Sequence, residues 1–183
     1  MTAKGHVLLS SSLTLGGTLI LHHIGYSLPS SPMVLLTLGV GIMFGTLLPD
    51  IDEDNSYIGQ KFKMFSVVLS AFVKHRTFTH YLILPLVIFT FAFFMMEQSS
   101  LSQLLIYAIA FGMINHDIGD MLTNGGIKGF FFPLFPNTRI AILPSFLRFD
   151  TFSLVEHFFI IFFLIPINSY FVFLLLKAYG VVA

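Results

Sequence analysis

Apolar residues run along the chain in five blocks, about 7 to 28, 33 to 48, 81 to 96, 104 to 123 and 154 to 179. A membrane-spanning helix needs roughly 17 to 25 residues, so each block predicts one span. The second and third are slightly short; they extend by a turn into the flanking polar residues or sit where the bilayer thins. The last block holds Pro166 and fits either one kinked helix or a helical hairpin. The first follows Lys4 as a signal peptide would follow its charged start. No small-x-small site comes after it, so it is read as an uncleaved span.

Two connecting segments carry patterns of their own. Between the second and third blocks, Ile58, Phe62, Phe65, Leu69 and Phe72 recur every three or four residues, with Lys63, Ser66, Ser70 and Lys74 on the other side. That period fits a helix lying in the membrane interface with its apolar face down, and fits an amphipathic core helix equally well. Residues 125 to 153 are broken by Pro and Gly and include the run from Gly129 to Pro136, five of whose eight residues are Phe or Leu. Such a stretch is expected to pack on, or dip into, the membrane surface. The expected fold is all-α: a single membrane-embedded domain over residues 1 to 183, with about five transmembrane helices, four to six at the limits, and an interfacial amphipathic helix.

Composition agrees with that class. The chain is 56% hydrophobic and 10% charged, with mean hydropathy +0.89, against about 25% charged for a soluble domain. Nine Lys and Arg balance nine Asp and Glu, so no basic surplus exists to neutralise a phosphate lattice and nucleic-acid binding is not expected. With no Cys there is no disulfide, thiolate ligand or Cys nucleophile. Eight of the nine basic residues fall at the N-terminus or in the connections 49 to 80 and 124 to 153, and none falls in 29 to 32 or 97 to 103. The positive-inside rule therefore puts the N-terminus and the two long connections in the cytoplasm.

On this topology the chemistry gathers at one membrane face. His6 opens the first span, Asp50 and Asp52 close the second, His75 and His80 precede the third, His116 and Asp120 end the fourth, and Glu156 opens the fifth. Imidazole with carboxylate is the ligand mix for Zn²⁺, and also for Mn²⁺ or non-haem iron. His116 and Asp120, four apart, share a helix face at about 5 to 6 Å; taken alone they fit a hydrogen-bonded helix pair as well as an ion site. Asp50-Ile-Asp52 after Pro49 puts two carboxylates in a turn, which can converge on a cation or merely solvate a helix end. Beside apolar spans, ionisable groups are expensive and functional by default. His6 and Glu156 each have a plain alternative, an interfacial His and a carboxylate at a helix N-terminus. His22 and His23 lie about 24 Å up the first helix from His6, and His157 and Asp117 point off the respective ligand faces.

Five motifs, Met1-Thr-Ala-Lys-Gly-His6, Leu47-Leu-Pro-Asp-Ile-Asp52, Ser56-Tyr-Ile-Gly-Gln60 with Lys63, His75-Arg-Thr-Phe-Thr-His80, and His116-Asp-Ile-Gly-Asp-Met-Leu-Thr123 followed by Gly126 and Pro133, resemble the YdjM-type inner-membrane proteins, classed among metal-dependent hydrolases. They run in order from the start of the chain to about residue 133; beyond that only Glu156 matches. The resemblance extends remotely to zinc-dependent phospholipase C and single-strand nucleases with clustered zinc ions. It implies metal-ligand roles for His6, Asp50, His75 or His80, His116, Asp120 and Glu156. Glu53 stands where the family has His, and Thr77 where it has Gly; the first puts any role for position 53 in doubt.

Eight candidate ligands exceed the needs of one four-coordinate zinc, so two or three ions are expected. Paired ions about 3.5 to 4 Å apart serve phosphoester displacement. In this reading Asp52 is a ligand or orients an imidazole, and Arg76 recognises phosphate through forked hydrogen bonds, or else anchors a lipid headgroup. The expected activity is hydrolysis of a phosphoester, phospholipid-like substrate at the cytoplasmic leaflet, with membrane lipid as partner. A cation transporter, or an adaptor with a vestigial metal site, uses the same residues and stands as the alternative.

Overall fold

The computed structural model describes residues 1–72, 76–98 and 100–182. Helix α1 (Ala3–His23) starts where the Thr2 hydroxyl accepts from the Gly5 N–H, and α2 (Pro32–Leu47) starts on a proline that needs no intrahelical donor. A 3₁₀ turn, Leu48–Asp52, continues α2. Two short helices follow, α3 (Tyr57–Lys61), capped by Ser56, and α4 (Lys63–Phe72). After a second 3₁₀ turn at Phe78–His80 come α5 (Ile83–Met95) and α6 (Leu101–Met121), the latter capped by Ser100. Two strands of two residues each, β1 (Ile127–Lys128) and β2 (Arg139–Ile140), pair antiparallel with Lys128 opposite Arg139. The chain ends in α7 (Leu154–Phe159), a π turn at Ile160–Leu164 and α8 (Ile165–Ala178).

The structure is mostly helical, as the apolar blocks predict. It settles the last block as one continuous rod. Pro166 has no N–H, and its ring would meet the carbonyl four residues back; the π turn just before it widens the ladder. Asn168 Nδ2 then donates to the Leu164 carbonyl at 2.7 Å and ties the rod to α1 at the Leu8 carbonyl, 3.0 Å away.

Helix α6 is central. It packs most extensively on α2 and also touches α1 and α5, while α8 closes on α1. The α2–α6 crossing is tight because Gly45 and Gly112 face the other helix's backbone: a Cβ on Gly45 would collide with the Ile109 carbonyl, and one on Gly112 with the Ile42 carbonyl. Small residues at such a contact let helices approach where the apolar effect alone would not hold them. Polar side chains glue the interior: Thr46 Oγ1 donates to Ser10 Oγ at 2.7 Å, and Asn115 Nδ2 donates to the same oxygen at 3.0 Å. Large apolar residues face outward instead, with Phe94 74% and Phe163 65% exposed.

That distribution corrects the span count. Two of the predicted five spans, Pro32–Asp52 and Leu154–Ala178, are long and apolar enough to cross a bilayer. Helices α1 and α6 have the length, at 21 residues each, but their inward faces carry Ser10, Ser12, Gln103, Asn115, His116, Asp117 and Asp120, all buried. Helix α5 is apolar but has 13 residues, about 20 Å of rise. The all-α expectation also misses the small β pair, whose two-residue strands leave no periodic signal.

Helix α4 decides between the two readings of residues 57 to 73. The residue it buries in the protein is Ser66, while Phe65 and Phe72 are exposed. It is not an amphipathic core helix; its apolar side points away from the protein. The segment after β1 behaves alike, with Leu134 and Phe135 exposed.

Candidate metal centre

The first turn of α1, the turn ending α2, the Phe78–His80 turn and the last turns of α6 meet at one end of the bundle. They bring together His6, Asp50, His80, His116 and Asp120. His6 Nε2 is 3.3 Å from Asp120 Oδ1, His80 Nε2 is 3.5 Å from Asp120 Oδ2, and His116 Nε2 is 3.5 Å from Asp50 Oδ1. The outer pairs, His116 to Asp120 and His80 to Asp50, are 3.9 and 4.0 Å apart. Two groups satisfy the spacing of a shared ion, His6 with Asp50 and His116, and His80 with His116 and Asp120.

These separations are long for N–H···O hydrogen bonds, which run from about 2.7 to 3.2 Å. The three shorter ones, at 3.3 to 3.5 Å, match donors around an ion: tetrahedral ligands at about 2.0 to 2.1 Å from zinc stand about 3.3 Å from each other. His6, His80, His116 and Asp120 are buried, and both ring nitrogens of His6, His116 Nε2 and Asp120 Oδ2 have no hydrogen bond among the described residues. A buried polar atom without a partner costs about 1 to 3 kcal/mol, so a cation among them removes several such costs at once.

The imidazoles are oriented from behind. His116 Nδ1 lies 2.7 Å from the Thr46 carbonyl; it donates there, which leaves the Nε2 lone pair facing Asp50 and Asp120. Behind His80, Thr79 Oγ1 donates to Asp52 Oδ2 at 2.6 Å and sits 2.9 Å from His80 Nδ1. Burial holds the His80 pKa below its ordinary value, which favours the neutral ring that ligates. The rings of His6 and His116 stack at 3.8 Å and 9°.

The remaining expected residues are placed as follows. Asp52 is buried and reaches His80 through Thr79, with its Oδ2 4.0 Å from His80 Nδ1. Arg76 Nη2 donates to Asp120 Oδ1 at 2.9 Å, and Nη1 lies 3.4 Å from Thr123 Oγ1. Glu156 is fully buried, but its oxygens accept from the backbone N–H groups of Thr2 at 2.6 Å and Phe152 at 2.7 Å. It ties the start of α1 to the start of α7 and stands in neither donor group. His75 lies outside the described residues. His22, His23 and His157 are exposed.

Sequence reasoning missed Thr79 and the Thr46 carbonyl, whose parts depend on the fold alone. It also missed the Met1 nitrogen, 2.9 Å from Asp120 Oδ1, and it set aside Asp117, which is buried with neither oxygen hydrogen-bonded among the described residues. A carboxylate in so apolar a chain was the available signal for Asp117.

Comparison with known proteins adds lineage. The family model described as YdjM inner membrane protein matches residues 1–183. The uncharacterized protein YvsG of Bacillus subtilis (strain 168) is 33% identical over 153 residues, 84% of each chain. The inner membrane protein YdjM of Escherichia coli (strain K12) is 33% identical over 82 residues, covering 44% of this chain and 42% of that one, as is its counterpart in Shigella flexneri. No solved structure matches.

Proposed function

The chain belongs to the YdjM inner membrane protein family, and from that premise we propose that it is a membrane-bound, metal-dependent hydrolase acting on a phosphoester at the cytoplasmic face. The observation that carries the reading is the set of buried atoms, the His6 ring nitrogens, His116 Nε2 and Asp120 Oδ2, that belong to residues of the two ligand-spaced groups and have no hydrogen bond among the described residues. Imidazole and carboxylate donors suit Zn²⁺ first, then Mn²⁺ or iron.

A divalent ion in such a site stabilises charge developing on a phosphoryl oxygen and makes water nucleophilic near neutral pH. The chain's own residues do the rest. Thr46 and the Asp52–Thr79 pair hold two imidazoles in the ligating tautomer. Arg76, bonded to Asp120 yet 22% exposed, sits where it can meet both the donors and an incoming phosphoryl group. The two donor groups share His116, which would serve one ion, and Asp120, with one oxygen toward His6 and the other toward His80, would help to hold an ion on either side.

In the same reading α2 and the α7–α8 rod cross the bilayer, α1 and α6 pack against them, and α5 packs on α6. Helix α4 and the loop after β1 rest their exposed apolar side chains in the cytoplasmic leaflet. The donor-bearing helix ends then open at headgroup level, which is where a phospholipid-like substrate presents its ester.

Metal analysis of the purified full chain, before and after His116→Ala, tests the proposal. At least one transition metal per chain, lost in the variant, is expected, together with metal-dependent turnover of a phosphoester within a panel of phospholipids, lysophospholipids and nucleotides. No bound metal sinks the hydrolase. Metal without turnover across the panel turns the reading to an adaptor, and metal-driven ion flux in proteoliposomes turns it to a transporter.

A further inference from the structure

A cavity of about 380 Å³ adjoins the donor cluster and shares Arg76 with it. Thr77, Tyr81, Gly125, Gly126 and Lys128 complete most of its wall, and among the described residues no Asp or Glu lines it. Three features make it more than a surface dent. Arg76 is held at φ +61, a left-handed conformation that an arginine adopts only when its surroundings impose it. Its guanidinium packs against residue 125, where a Cβ would collide with Nη1, so glycine there is what admits it. Asp120 and Thr123 take one Nη each, and the buried Nε has no hydrogen bond among the described residues, so the guanidinium keeps donors in hand.

The second cation of the lining, Lys128, has a cationic neighbour of its own. Lys128 stands directly across the β pair from Arg139, and like charges placed opposite each other on a ladder cost stability. Neither has an ion-pair partner among the described residues. Gly126, on the cavity wall, is close to Arg139 Nε. Two cations that repel each other, one of them lining a pocket that Arg76 also lines, are a cost that an anion relieves. Next to the pocket, Tyr81 stacks on Phe132 at 4.9 Å, and the loop joining the strands turns Leu134 and Phe135 outward.

We propose that this pocket binds a phosphoryl group bearing two negative charges, with Arg76 on the Asp120 side and Lys128 with Arg139 on the other, and so selects anionic over zwitterionic phosphoesters. Its use as a substrate site rests on the hydrolase reading; its binding does not. The ligand comes either from a lipid headgroup, as in phosphatidic acid, or from a soluble diphosphate. The adjoining apolar loop favours the lipid.

Calorimetry on the detergent-solubilised full chain tests this with three probes: dihexanoyl phosphatidic acid, dihexanoyl phosphatidylcholine and inorganic pyrophosphate, each on chelator-treated protein. Phosphatidic acid is expected to bind at least about 10-fold more tightly than phosphatidylcholine. Joint Lys128→Glu and Arg139→Glu, both at exposed positions, should weaken it about 10-fold or more, as loss of charged hydrogen bonds does. The swap Lys128→Arg with Arg139→Lys should retain it. Tighter binding of phosphatidic acid than of pyrophosphate assigns the pocket to a headgroup, and the reverse order assigns it to a soluble diphosphate; both sustain the phosphoryl site. Binding by neither anion, equal binding of phosphatidylcholine, or an unchanged dissociation constant after charge reversal overturns it. Binding without turnover by metal-loaded protein removes the hydrolase and leaves the pocket, whereas turnover indifferent to the charge reversal removes the pocket and leaves the hydrolase.

Discussion

Thr79→Val is the most informative single change at the donor cluster. Valine matches threonine in shape, so the buried 3₁₀ turn that carries residue 79 keeps its packing, and the loss is confined to one hydroxyl. That hydroxyl makes a 2.6 Å hydrogen bond to Asp52 and a 2.9 Å contact with His80 Nδ1. A hydrogen bond to a charged group contributes about 1.5 to 3 kcal/mol, and removing an outer-shell partner of a metal-ligating His lowers metal affinity about 10- to 100-fold, or about 1.4 to 2.8 kcal/mol. The two estimates agree, so we expect a 10- to 100-fold weaker Zn²⁺ dissociation constant with stoichiometry unchanged at saturation. Competition against a chromophoric chelator in detergent measures it. Thr79→Ser, which keeps the hydroxyl, should stay within a few-fold of the parent chain. Equal affinity in the Val variant, or equal loss in the Ser variant, would refute the claim that Asp52 acts on His80 through Thr79.

Other predictions follow from packing, protonation and topology. Gly112→Val should separate α6 from α2 and lower the thermal unfolding midpoint, at a cost of about 1 to 3 kcal/mol or more for overpacking; an unchanged midpoint would deny the close helix approach. Because burial lowers the His80 pKa in the folded chain, the unfolded chain takes up the proton more readily. Stability of the chelated protein should therefore be complete above the unfolded pKa of about 6.5 and fall as pH drops below it, by at most about 1.4 kcal/mol per unit for this group. Denaturation at pH 7.5 and 5.5 reads the difference, and His80→Gln should flatten it. A cysteine at Gln98 should label from the periplasm in cells and one at Ser56 should not; the reverse pattern overturns the proposed orientation.

Much of the fold was legible because helices in an apolar chain announce themselves by block length: all five long helices lie where an apolar run lies. The span criterion failed for α1 and α6 for a physical reason. Hydropathy averages around the helix, whereas Ser10, Asn115 and Asp120 all point inward to neighbours that no linear window sees. The turn chemistry of residues 125 to 140 was illegible because a pairing of Lys128 with Arg139 is non-local and goes against charge preference.

For the candidate site, the sequence alone supplied a shortlist of residue types and positions. In a chain with few charges, His6, Asp50, His80, His116 and Asp120 stand out at the ends of apolar runs, since ionisable groups there are too costly to be incidental. Only the tertiary structure decided their arrangement. It brought the ligating atoms of these five residues to between 3.3 and 4.0 Å of a partner, set Asp52 behind Thr79, and gave Glu156 to two backbone N–H groups. Those distinctions follow from distances of an ångström or two between residues as many as 154 positions apart, and residue type fixes which atoms could bind an ion while the meeting of helices fixes which of them come together.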